Sequence, residues 1–385
     1  MQVALADSPC PGPPMPEVLF DNQIFVQQRR GGISRYFVEL MRLLPTTSPQ
    51  FRAPFPSSWT LNEHAADARL ARPVPGRHAL DGSHLVQKFA RVAAQRLVAS
   101  RAALRHPPRS SGSVYHPTYY SKAQFVGWRG PVVVTVHDMI PEIFPHLFPR
   151  NPHRDKRWYL RRADAIIAVS QSTANDVRRL FPDVTAPITV IPLAVSHETF
   201  RPDGPHVTKF PRPWILFVGK RSNYKDFDVL LRAVAISSSF PIHVVVAGGS
   251  RPTTEEDEVI QQLKLSNHVS FVRPNDAELS SLYRSADAFV FPSRYEGFGL
   301  PTLEAMASGA PVILARASAH PEVGGEAALY FTPKSAEELA ARLDHALSSA
   351  KVQSDLRETS LRQSRKFDWV DTAGATARVY QELLG

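Results

Sequence analysis

Two glutamates eight residues apart, Glu296 and Glu304, bracket the glycine-rich turn Gly297-Phe298-Gly299-Leu300. Ahead of them the apolar run Ala288–Phe291 reads as a buried strand. Behind them Pro301, with its fixed φ and missing N–H, suits the first position of a helix. Leu303, Ala305, Met306 and Ala307 continue that helix, Gly309 ends it, and Pro311–Leu314 reads as the next strand. A strand, a glycine loop and a helix start aim unbonded N–H groups and a positive dipole end at the loop, an arrangement suited to a diphosphate. Glu304 in the first turn or so could merely complement the helix dipole, worth about 0.3–1 kcal/mol. Glu296, in a turn at a strand's C-terminal end, has no comparable stabilising role.

A second anion loop follows the apolar run Trp214–Val218: Gly219-Lys220-Arg221-Ser222-Asn223-Tyr224-Lys225. Arg221 offers a planar fork of donors and Lys225 a compact charge, both matched to phosphoryl oxygens; the plainer alternative is a solvated basic loop. Asp226 would weaken that field unless it turns away to cap the helix that follows. Asp226-Phe227-Asp228 also has the spacing of a metal-holding pair. Acids are favoured at a helix start anyway, and Arg221 with Lys225 can neutralise a leaving group, so no metal site is expected. His137 ends the strand Pro131–Val136, where open α/β sheets bind ligands. A lone histidine is more often structural, and Asp138 reads as a loop-orienting group. Gly31-Gly32 precede a helix marked by Ile33, Phe37, Leu40 and Leu44, forming a third glycine loop that could face phosphate or be a bare tight turn. No G-x-G-x-x-G dinucleotide fingerprint occurs.

These loops need two α/β domains to carry them. A chain of 385 residues fits two domains, and 43% hydrophobic with 21% charged residues is the balance of a globular protein. Strands and helices alternate on both sides of the proline-rich stretch His197–Pro213, which reads as a linker. No apolar run approaches the roughly 18 residues of a membrane span. Residues 1–16 read as a flexible tail without the pattern of a secretory signal. The single Cys10 lies in that tail, so no internal disulfide can form and a reducing, cytoplasmic setting is expected. Residues 1–200 hold 24 Lys+Arg against 14 Asp+Glu, and residues 201–385 hold 21 against 22, so the N-terminal half carries the whole net charge of +9. The excess is densest over residues 69–109. There Leu85–Arg105 reads as an amphipathic helix, either ordinary surface or a basic face for anionic lipid on the inner face of the cytoplasmic membrane. A nucleic-acid-binding role lacks interleaved aromatics or a docking motif.

The stretch E-G-F-G-L-P-x-L-E-A-M-A-x-G-x-P-V, from Glu296 to Val312, resembles the E-x7-E signature of the family-4 glycosyltransferases, retaining enzymes of the GT-B fold. Pro292-Ser293 and Pro321–Gly324 extend the likeness. Val218–Lys225 resembles the family's phosphate-binding Arg/Lys pair, although Asp226 stands where the family usually has Asn. Gly31–Tyr36 resembles its acceptor-side glycine loop, and His137-Asp138 its cleft histidine. Residues 162–170 and 190–195 resemble the end of its first domain. The resemblance implies an α/β GT-B fold: two Rossmann-like domains (17–200 and 201–367) facing a cleft, with the C-terminal helix 368–385 crossing back to the first. It implies a nucleotide-sugar co-substrate and no metal or other cofactor. His137, Arg221, Lys225 and Glu296 become the expected catalytic residues. Gly31, Gly32, Gly219, Arg273, Gly297, Phe298, Gly299, Leu300 and Glu304 become the donor-binding ones, with Glu296 on sugar hydroxyls, Glu304 on the ribose and Arg273 in a loop by the nucleobase. Same-face attack and double displacement are both compatible with these residues. The motifs as a set look like the mannosyltransferase-like branch that builds bacterial surface polysaccharides. That makes GDP-mannose the favoured donor and a glycan or lipid-linked glycan the acceptor. A GT-B protein using UDP- or another sugar nucleotide for epimerase- or hydrolase-like chemistry is the alternative.

Overall fold

The computed structural model describes residues 15–74, 112–122, 125, 128–221 and 223–385. The tail with Cys10 and the basic helix expected over 85–105 lie outside the described residues. The chain packs as two units, one of residues up to Val133 together with Tyr380–Gly385, the other Val134–Val379.

In the first unit the strand Val18–Phe20 pairs in parallel with Val114–His116, all six residues buried. Helix Gly32–Thr47 turns Tyr36, Phe37, Leu40 and Leu44 inward at the spacing of one helical face. Phe37 packs edge-on against Phe20 (5.8 Å between ring centroids) and His116 (5.2 Å). The end of the last helix, Trp369–Leu384, joins this core: Tyr380 Oη lies 2.6 Å from His116 Nδ1. Asp21, just past the first strand, is buried and accepts hydrogen bonds from the Thr118 amide (3.2 Å) and the Tyr115 hydroxyl (2.7 Å), locking the two strand ends together.

In the second unit, three strands stand in the order Val133–Val136, Ala165–Ala168, Ile188–Val190. A six-stranded sheet, parallel throughout, runs in the order Val269–Val272, His243–Ala247, Trp214–Val218, Ala288–Phe291, Val312–Ala315, Ala328–Phe331. Counted along the chain this is 3-2-1-4-5-6, the doubly wound order. Its inner strands are buried over nearly their whole length, which is why they read as unbroken apolar runs in the sequence. Ile215, Phe217, Val244 and Val246 pack with Leu230 and Val234 of helix Phe227–Ile236 and Leu339 and Leu343 of helix Ala336–Leu347. Among the elements that sequence reading left unassigned are the outer strand Ala328–Phe331, helix Thr254–Gln262 with its Thr253/Glu256 capping box, and the short helices Lys156–Leu160 and His320–Gly324.

The strand order reverses between Trp214–Val218 and Ala288–Phe291, which are neighbours in the sheet although their following helices depart in opposite directions. The loops after these two strands, 219–226 and 292–299, therefore flank one crevice at the sheet's C-terminal edge.

Candidate functional site

The two loops meet through an ion pair. Lys225 Nζ donates to Glu296 Oε1, with the two side chains only 12% and 11% exposed. Lys225 also lies 4.6 Å from the centroid of the Phe291 ring, whose face favours a cation. The Glu296 backbone is fixed separately: its amide donates to Ser318 Oγ at 3.1 Å, and that hydroxyl donates to the Glu296 carbonyl. Side chain and main chain thus have different anchors, so the carboxylate can change partner without unseating the loop.

Gly297 is glycine for want of space. A Cβ there would fall 1.8 Å from the carbonyl oxygen of His137. The Gly297 carbonyl accepts hydrogen bonds from Ser170 Oγ (2.6 Å) and Thr173 Oγ1 (3.0 Å), at the start of helix Gln171–Leu180. Gly299 has a φ of +104° and precedes helix Leu300–Ala307. That helix begins one residue earlier than expected, so Pro301 is its second residue and Glu304 its fifth. Glu304 therefore lies beyond the first turn, where the dipole explanation weakens. It is 8% exposed and accepts a hydrogen bond from Tyr283 Oη at 3.3 Å.

Arg221 departs from the expected phosphate clamp. Its Nε donates to Glu256 Oε1 (2.9 Å), its Nη2 to the carbonyls of Ser250 (3.0 Å) and Arg251 (3.1 Å), and it lies over the Phe271 ring. The side chain is 3% exposed, and only Nη1, buried and without a hydrogen-bond partner, is left for another acceptor. Asp226 does turn away from the cation loop, but not to cap the helix. It takes a left-handed φ of 47°, makes no capping hydrogen bond, and accepts from Arg294 Nε at 2.9 Å. Burial raises its carboxyl above the usual range, with Arg294 opposing. Gly219, at φ +123°, makes the turn out of its strand with open space beside it, and Arg273 is exposed.

His137 sits at the end of Val133–Val136 as expected. Burial pushes its imidazole down to about 3, the neighbouring Asp138 opposing and His153 and Lys156 reinforcing, so the ring is neutral at physiological pH. Asp138 accepts from the Ile140 amide at 2.9 Å, the loop-orienting role read from the sequence. Burial alone would raise Asp138 and Glu142. Lys156, His153 and local hydrogen bonds outweigh it and hold both carboxyls below their ordinary values. Lys156 is fully buried, donating to the Asp138 carbonyl at 2.7 Å and to Glu142 Oε2 at 3.0 Å.

Several contributors escaped sequence reasoning. Lys156 sits in a basic run with nothing local to mark it as buried. Ser170 and Thr173 stand at a strand end and the start of the next helix, with no sequence signal for their contact to Gly297. Glu322 accepts from the Gln171 and Ser172 amides at 2.6 and 2.8 Å, capping that helix from 150 residues away. Thr302 Oγ1 and His320 Nε2, both fully buried and without a hydrogen-bond partner, flank Gly299. The His320 Nδ1 is 2.9 Å from the Ala315 carbonyl, and burial lowers its pKa. The P-E-V-G stretch was the one available signal for Glu322.

Gly31 and Gly32 belong to the first unit. Gly31 is extended, and its neighbour Gln28 folds back to accept from the Ser34 amide at 3.3 Å, occupying one of the helix-start donors expected to face phosphate. Among the described residues no group of three or more His, Cys, Asp or Glu could hold a metal ion, and no helix is long and apolar enough to cross a membrane.

Comparison with known proteins agrees with this construction. A family model described as Glycosyltransferase Family 4 matches residues 30–199, and one described as glycosyl transferases group 1 matches residues 203–363. The MMP alpha-(1->4)-mannosyltransferase of Mycolicibacterium hassiacum is 30% identical over 275 residues, 66% of this chain and 66% of that enzyme. The O-antigen chain mannosyltransferase B of Escherichia coli is 28% identical over 307 residues, 73% of this chain and 79% of that enzyme. Among solved structures, sucrose-phosphate synthase from Thermosynechococcus elongatus superposes with a TM-score of 0.70 at 20% identity, covering 96% of this chain and 99% of that one. The chain belongs to the family-4 glycosyltransferases and has their two-domain α/β GT-B fold.

Proposed function

We propose that the protein transfers a mannosyl group from GDP-mannose to a glycan or lipid-linked glycan, with retention of anomeric configuration and without a metal ion, in polysaccharide assembly. The observation that carries the proposal is the Lys225–Glu296 pair at the sheet's switch point, beside the buried helix Leu300–Ala307. Support for mannose comes from the relatives named as mannosyltransferases.

Cleaving a sugar from a nucleoside diphosphate leaves about one further negative charge on the phosphates. In this reading Lys225 leaves Glu296 for a phosphoryl oxygen, and Arg221 Nη1 and the Phe298–Leu300 amides add donors that are held in place before reaction. Each such preset donor is worth roughly 2.7–4 kcal/mol. Glu296, released by Lys225, accepts from hydroxyls of the sugar, and Glu304 binds the ribose. His137, neutral and next to the Asp138–Lys156–Glu142 cluster, contacts the sugar near the bond being made. Cations and helix-end dipoles supply the charge neutralisation that a metal would otherwise provide. An anionic membrane surface remains a proposed partner through residues 69–109.

The test is a panel of sugar nucleotides with acceptor glycans, read by nucleotide release and by mass of the glycosylated product. GDP-mannose should be turned over with product of retained configuration. Turnover of a different sugar nucleotide, or nucleotide release without a glycosylated product, would overturn the donor or the transfer reaction respectively.

A further inference from the structure

A second cation-lined site lies at the opposite end of helix Leu300–Ala307 from the glycine loop. Ser308 and Gly309, at the helix's C-terminal end, line a cavity of about 370 Å³ together with Arg212, Arg284, Arg357 and His206. That volume is at the lower end for small-molecule pockets.

The arginines have structural work. Arg284 holds the carbonyls of Arg201 (2.9 Å) and Pro205 (2.8 Å), Arg357 those of Gly309 (2.8 Å) and Ala286 (2.7 Å), and Arg212 that of Ser285 (2.9 Å). Carbonyls are neutral, so these bonds do not cancel the charge. Three guanidiniums, Arg212, Arg284 and Arg357, line the cavity, and among the described residues the one carboxylate paired with any of them is Asp287, on Arg212. Burial lowers the pKa of both Arg284 and Arg357. Arg201 lowers Arg284 further with Asp203 opposing, and on Arg357 Asp287 opposes burial with Arg212 a smaller influence. The main cost is therefore that of desolvating the two guanidiniums, which a bound anion would relieve. Structural bracing also leaves one group unexplained. The Ser308 hydroxyl is 1% exposed, lines the cavity and has no hydrogen-bond partner.

We propose that this cavity is a binding site for a phosphate group, free or carried on a small polar body such as a hexose. Clustered arginines recognise phosphate through charge-assisted, often bidentate, hydrogen bonds. Arg212, 56% exposed at its side chain, and the exposed His206 form the mouth, and Ser308 lies at the wall. The proposal is independent of the donor and acceptor assigned above.

Isothermal titration of the full-length protein with inorganic phosphate and with glucose 6-phosphate, at ionic strength matched with chloride, tests it. At least one of the two should bind saturably at one site per chain, and the ratio of their affinities reports whether the hexose adds contacts. The Arg212→Gln/His206→Ala double variant should weaken binding at least tenfold. Because Arg212 also pairs with Asp287 and holds the Ser285 carbonyl, its melting temperature is measured alongside, and His206→Ala and Ser308→Ala, which keep the Arg212–Asp287 pair, should each weaken binding severalfold. Lys225→Ala should leave this binding as it is. No saturable binding by either probe would overturn the proposal. So would binding that survives the double variant and disappears in Lys225→Ala, since the phosphate would then sit in the glycine-loop site.

Discussion

Lys225 and Glu296, 71 residues apart, form an ion pair whose two side chains are each about nine-tenths withdrawn from solvent. Removing one member of such a pair strands the other charge, at a cost of about 3–5 kcal/mol. Lys225→Ala and Glu296→Ala should therefore each lower stability. The Lys225→Met/Glu296→Gln double variant should regain most of the loss, because neither charge remains. On the proposed mechanism, turnover should fall roughly a hundredfold or more in all three, since each would lack a donor to the leaving group or a grip on the sugar. Urea unfolding beside donor turnover separates the two effects. Stability losses that simply add in the double variant would show that the residues are uncoupled.

The Gly297→Ala variant tests the closest approach in the site. Its methyl would fall 1.8 Å from the His137 carbonyl oxygen, a backbone atom that cannot rotate away. Overpacking of this kind costs about 1–3 kcal/mol, equivalent to a fall of roughly 2–12 °C in melting temperature for a unit of this size. Relief requires the 292–299 loop to move from His137, so turnover should fall with stability. An unchanged melting temperature would mean that the two segments are not packed as described.

Much of the second unit was legible because its central strands are buried and bounded by glycine or proline. Trp214–Val218 and Ala288–Phe291 have the limits their apolar runs predict. What escaped was the tertiary employment of polar groups. Nothing local marks Lys156 as buried, because its partners Asp138 and Glu142 lie 18 and 14 residues upstream. The hydroxyl of Ser170 meets the Gly297 carbonyl across 127 residues. Arg221 has the residue type and spacing of a phosphate ligand, yet Glu256 and two carbonyls claim most of its donors. A motif specifies which side chains reach a loop, while burial and competing acceptors decide how many donors remain.

The proposed metal independence rests on charge already present. In that proposal Lys225, Arg221 Nη1 and the loop amides serve the leaving phosphates as donors, so turnover should persist after dialysis against EDTA and be unaffected by added Mn²⁺ or Mg²⁺. Loss of activity on chelation, restored by either ion, would overturn this. Asp226 and Asp228 would then be the first residues to substitute, as the D-x-D pair set aside in the sequence.

The imidazole of His137 makes a pH prediction of definite sign. Burial takes it from an ordinary value of 6.5 to about 3 in the folded protein. Between those values the unfolded chain binds a proton that the folded chain refuses, so stability rises with pH across that window. The contribution is complete above pH 6.5 and is lost as pH falls towards 3. His320 and His243, also lowered by burial, act in the same direction. Carboxylates held low, such as Asp138, add their loss only at the acid end, below the ordinary carboxylate range. His137→Gln should thus flatten, without abolishing, the fall in stability between pH 6.5 and 4.5, while the wild type and His320→Gln keep the His137 share. Because His137 is neutral throughout, the pH–rate profile should show no ascending limb near 6.5 that His137→Gln removes. Chemical denaturation at half-unit pH intervals measures the first effect and initial rates the second. A slope unchanged by His137→Gln would mean that the folded protein tolerates the charged ring.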